Sequence, residues 1–100
     1  GVYSFEAPPG ELTAQDAAAL AANPLAQAWW GGASASYRRL VTAWLADAKR
    51  PETRARRLAQ LVEESAAGRL IPSQRYGREP SWAARLRAEL GLDQPASPKG

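Results

Sequence analysis

Fourteen residues from Trp44 to Arg57, WLADAKRPETRARR, constrain this chain more than any others. They hold two helix boundaries and seven charged side chains. Trp44, Leu45 and Ala48 lie on the apolar face of a helix that runs into Lys49-Arg50. Pro51 disfavours helical geometry at Arg50, which becomes a boundary. Pro51 itself suits the first position of the next helix, where a missing N–H costs nothing. Glu52 then sits favourably in the positive first turn. A tight helix–turn–helix corner follows, with Lys49, Arg50, Arg54, Arg56 and Arg57 at or after the turn.

The rest of the chain agrees with helices. One hundred residues make one domain. The 45% hydrophobic fraction leans on Ala and Leu, and β-branched residues are too few to fill a sheet. The expected fold is all-α: a small bundle of four to five helices over 13–92, an irregular N-terminal arm over 1–12 and a mobile polar tail over 93–100. Val2, Tyr3 and Phe5 would anchor the arm.

Within the bundle, Thr13 and Asp16 resemble a capping box that opens a helix to about Ala22. Asn23-Pro24 opens another, whose face carries Leu25, Ala28 and Trp29 and which Gly31-Gly32 ends. The clearest amphipath runs from about Ser34 to Lys49, with Tyr37, Leu40, Val41, Trp44, Leu45 and Ala48 on one stripe. From Pro51 to about Ala67 a helix buries Leu58, Leu61 and Val62, with Ala55 and Ser65 alongside and Gly68 as its stop. These two helices are expected to form the central pair. Ser81 caps a last helix bearing Trp82, Leu86 and Leu90, which stops at Gly91.

Several chemistries lack their residues. With no Cys and no His there is no thiolate, imidazole base or ordinary zinc constellation. No nucleophile elbow or phosphate loop appears, so no catalytic residue, cofactor or metal is assigned and a non-enzymatic role is expected. No apolar run reaches the roughly 18–20 residues of a membrane span, and no signal-peptide pattern opens the chain. A cytoplasmic location is expected, or a periplasmic one if the chain is part of a longer exported product. The absence of Met, with Gly1 leading, implies a removed initiator or such a longer product.

Charge is uneven. Ser34 to Val62 carries +5 and the remainder −2. A basic patch would suit phosphate or nucleic acid, whereas a solvated face would carry pairs such as Glu52–Arg56 and Arg57–Glu64. The second reading is preferred. Arg56, Arg57 and Arg54 point in three directions around the helix, and Glu63 and Glu64 would repel a phosphate backbone. Specific nucleic-acid recognition is therefore not expected.

Arg54 projects onto the Leu58, Leu61 and Ser65 stripe, where an unpaired charge is costly. Asp47 and backbone carbonyls at the turn are its expected partners, making Arg54–Asp47 a structural ion pair. Of Trp29 and Trp30, one should lie inside and the other partly outside, which makes Trp30 a candidate interaction residue with Lys49, Arg50, Arg56 and Arg57.

The strings YSFE at Tyr3–Glu6, SYRRL around Tyr37 to Leu40, AK-x-x-ETRARRL from Ala48 to Leu58 and SAAGR ending at Arg69 carry a resemblance. From about Tyr3 to Pro72 the chain resembles the C-terminal part of the bacterial YdeI/OmpD-associated, bacteriocin-protection family. That resemblance implies a helical domain linked to envelope stress or antimicrobial-peptide resistance through a protein partner, an envelope protein or a preceding N-terminal domain. It brings no catalytic residues. Two functions stay open: a protein-interaction or stress-protection domain, and a nucleic-acid or phosphate-ligand binder using Lys49, Arg50, Arg56 and Arg57. Neither the partner nor the oligomeric state can be read from the sequence.

Overall fold

A computed structural model describes residues 11–75 and 77–92. Among them are five α-helices, α1 (Ala14–Ala21), α2 (Pro24–Gly32), α3 (Ala35–Asp47), α4 (Pro51–Ala66) and α5 (Ser81–Glu89), one 3₁₀ turn at Pro72–Gln74, and no strand. The fold is all-α, as expected. The arm before Glu11 and the tail from Asp93 lie outside the described residues.

Local chemistry sets most boundaries. The Thr13 hydroxyl accepts the Asp16 N–H, Asn23 Oδ1 accepts that of Ala26, and Ser34 Oγ accepts that of Tyr37, each at 3.1 Å. Each bond satisfies one donor that a helix start leaves unpaired. Pro24 and Pro51 open α2 and α4. Helix α4 ends in a Schellman motif, with the Arg69 N–H on the Glu64 carbonyl and the Gly68 N–H on that of Ser65. Gly68 occupies the left-handed position the motif needs, at φ 72°, and Gly91 does the same after α5.

Three boundaries differ from expectation. Helix α3 stops at Asp47, because Ala48 to Arg50 extend before Pro51. Helix α5 follows Pro80, and Ser81 is its first residue rather than its cap. The two glycines end α2 from within it, as Gly31 and Gly32 are its last residues.

Packing departs further. The most extensive helix contact is α2 on α4, not α3 on α4. Helix α2 buries Ala26, Trp29 and Trp30, which combines the largest apolar surfaces available with a small residue that admits a close neighbour. Both tryptophans are therefore inside, while Leu25 faces solvent. The buried face of α3 is only Tyr37, Val41 and Leu45. Leu40 is 49% exposed, Trp44 half-buried and Ala55 exposed. On α4, Leu61 is fully buried, and Leu58 and Val62 pack at the margin of the core. Helix α5 adds Ala83 and Leu86 against α2, with Trp82 at the margin.

Candidate functional site

The basic corner is built from the inside outward. Arg54 and Arg57 do not point apart as expected: three residues apart on α4, they share a side of the helix and both reach the end of α3. That side meets the last turn of α3, whose carbonyls lack the usual i+4 partner, although that of Leu45 also accepts the Ala48 N–H at 3.2 Å. Arg54 Nη1 donates to the Leu45 carbonyl at 2.9 Å, and Arg57 Nη1 donates to that of Trp44 at 2.6 Å. The Arg57 guanidinium also lies 5.5 Å from the centroid of the Trp44 ring. Cations at a helix C-terminus are favoured by its dipole.

The carboxylate on Arg54 is Asp16 of α1, with Oδ2 at 2.6 Å from Nη2, and not Asp47. Asp16 is 3% exposed and needs a counter-charge, whereas the Asp47 side chain is 77% exposed and well solvated. Asp47 stands 3.9 Å from Arg57 instead. One arginine thus ties α1, α3 and α4 together.

These contacts sort the sequence candidates. Arg57 is committed to the fold, and Trp30 is buried. Lys49, Arg50 and Arg56 are exposed, with Arg50 in a loose 3.9 Å pair with Glu52 rather than Glu52 pairing with Arg56. Pairs that open to solvent contribute little.

Glu64 is buried and holds the chain after α4 in place. Arg69 Nε donates to Oε1 at 2.6 Å and Arg75 Nη2 to Oε2 at 2.9 Å, so Glu64 is neither an outward charge nor a partner of Arg57. Its position on the core face of α4, three residues after Leu61, was the overlooked signal.

Beside this cluster the Tyr37 hydroxyl accepts the Ile71 N–H at 2.9 Å. Burial, opposed by that bond, pushes the phenol up from 10 to about 12. Tyr37→Phe should cost about 1–3 kcal/mol, because the buried Ile71 N–H loses its acceptor. The raised value also fixes a sign. Below pH 10 the phenol is protonated in both states; above it the unfolded chain releases its proton while the folded chain holds on. Stability from Tyr37 is therefore lost as pH rises from 10 through about 12. Urea midpoints across that range should fall more steeply for the parent than for Tyr37→Phe, and parallel slopes would count against the buried phenol.

An open groove of about 270 Å³ lies between the start of α3, the 3₁₀ turn and the start of α5. Tyr37, Leu40, Leu70, Pro80 and Trp82 give it apolar walls. Ser34, Ser36, Gln74 and Arg78 supply its polar groups. Trp82 is fixed by tilted stacking on Trp29 and Tyr37, at 5.5 and 5.4 Å between centroids. Periodicity could not show this groove, since it assigns Leu40 and Trp82 to core stripes without saying where neighbouring helices leave them uncovered. No helix among the described residues is long and apolar enough to cross a membrane.

A family model described as bacteriocin-protection, YdeI or OmpD-associated matches residues 10–68. It spans α1 to the glycine that closes α4, and leaves the Leu70, Pro80 and Trp82 side of the groove outside the matched segment. No curated protein and no solved structure matches the chain.

Proposed function

Because the chain belongs to the bacteriocin-protection, YdeI or OmpD-associated family, we propose that it is a non-enzymatic interaction domain that helps protect bacteria against bacteriocins or envelope stress by docking a protein partner. The observation that carries this reading is Leu40, a large apolar side chain left 49% exposed beside a preformed groove. A single exposed leucine is ordinary on a protein surface; Leu40 counts here because it is part of a concave, largely apolar lining with a few polar groups at its rim.

Two of the groove's three hydroxyls serve the fold: Ser34 Oγ is engaged as the α3 cap and the Tyr37 hydroxyl by the Ile71 N–H, and Ser36 has no base beside it in the lining. With its phenol at about 12, Tyr37 stays protonated at neutral pH and is a poor base. The phosphate-binding alternative is weaker, since Arg57 of its four residues grips Trp44. Action in the cytoplasm belongs to the same proposal, and fractionation of a producing strain tests it.

The main test is survival of a bacterial strain producing the chain when challenged with a bacteriocin. Leu40→Asp should leave stability within about 0.5 kcal/mol, as expected for an exposed position, yet abolish protection. Arg56→Ala should leave protection intact. Full protection by the Leu40→Asp chain would exclude the groove as the docking face.

A further inference from the structure

The docking reading names a face but not what it recognises; the chemistry of the groove narrows that. At about 270 Å³ it lies just below the usual size of a cofactor or small-molecule pocket. Side chains of a protein segment would fit it better. Leu40, Pro80 and Trp82 form an apolar slot that such a segment would fill with one or two aliphatic or aromatic groups.

Among the described residues the polar rim has one sign: no carboxylate lines the groove, while Arg78 does, exposed and without an ion pair. Helices α3 and α5 both begin at its edge, and neither has an acidic residue in its first turn. Their positive ends therefore add to the arginine rather than being neutralised. Among the described acids, Glu64 is engaged by Arg69 and Arg75, and Glu79, the chain neighbour of Arg78, by Arg87.

Resting on the docking reading, we infer that the groove accepts an acidic segment of a protein partner, with an apolar side chain seated between Leu40 and Trp82 and flanking carboxylates facing Arg78 and the two helix starts. Apolar burial supplies affinity, and the uniform positive rim selects the charge of what approaches.

The test uses the full chain, labelled with ¹⁵N, and a short synthetic peptide in which glutamates flank a central Leu-Phe pair. Binding should shift the Trp82 indole N–H resonance. Leu40→Ser and Arg78→Glu should each weaken binding by about tenfold or more. Arg56→Glu, the same charge change on an exposed face of α4, should leave it unaltered. Circular dichroism confirms that each variant is folded, and two variants on different elements guard against the loss of one. Peptides with glutamine for glutamate, or serine for the Leu-Phe pair, should fail. Equal binding by the glutamine peptide, an equal effect of Arg56→Glu, tighter binding of an oligothymidylate through Arg78, or no binding at all would overturn the inference. If the peptide fails but Leu40→Asp still removes protection in cells, the partner chemistry is wrong and the docking face stands. If both fail, the docking reading falls too.

Discussion

Trp29→Ala is expected to destabilise the domain by roughly 3–5 kcal/mol, the range for truncating a buried tryptophan. Domains of this kind have only about 5–15 kcal/mol in total, so the change removes a large fraction of the stability when the parent lies near the lower end of that range. Trp29 is fully buried in the face that α2 presents, stacks on Trp82 and lies 5.9 Å beneath the Arg87 guanidinium. Its removal therefore leaves a void in the buried face of α2 and loosens α5, which packs on it. Trp44→Ala should cost clearly less, because Trp44 is half-buried and packs at the margin of the core. Urea denaturation of the two variants gives the order directly. A larger loss for Trp44 would restore α3 and α4 as the central pair.

Arg54→Ala is the second large effect. It leaves Asp16 buried without its cation and removes one of the two donors on the Leu45 carbonyl, which keeps the Ala48 N–H. Breaking a buried pair costs roughly 3–5 kcal/mol, and the low end is expected here because the Arg54 side chain keeps 30% exposure. Leu at both positions should recover much of that loss, since no charge then remains to be desolvated. A double-mutant cycle reads this as a coupling energy. Additive losses from Asp16→Leu and Arg54→Leu would mean that the two side chains act independently.

What the sequence could reveal follows the range of the forces involved. Caps act within four residues, so Thr13, Asn23, Ser34 and the Gly68 stop could all be read in place. The inward direction of Arg54 was also legible, because helical periodicity puts it on the Leu58 stripe. Its partner was not: Asp16 is 38 residues away, and only the packing of α1 on α4 brings it there. Asp47 is nearer in the chain, but it is too well solvated to need a partner.

Apolar stripes gave the same mixed result. The α3 stripe is wider than the surface available to cover it, so Tyr37, Val41 and Leu45 are buried and Leu40 is left out. That surplus became the groove, which forms only when α5 returns to the start of α3 and so has no local signature. Glu64 shows the converse: a glutamate reads as a surface residue, yet this one is buried because Arg69 and Arg75 arrive with the following loop.

The corner arginines divide into those that hold the fold, Arg54 and Arg57, and those that stand in solvent, Arg50 and Arg56. Neighbouring residues test this division in one measurement, the urea midpoints of Arg57→Ala and Arg56→Ala. Arg57 donates to the Trp44 carbonyl and covers its ring, whereas Arg56 is exposed. Arg57→Ala should lower stability by about 1 kcal/mol or more, as for a lost hydrogen bond from a charged donor. Arg56→Ala should stay within about 0.5 kcal/mol of the parent. Coincident midpoints for the two variants would contradict the division and return both arginines to the list of surface charges open to a ligand.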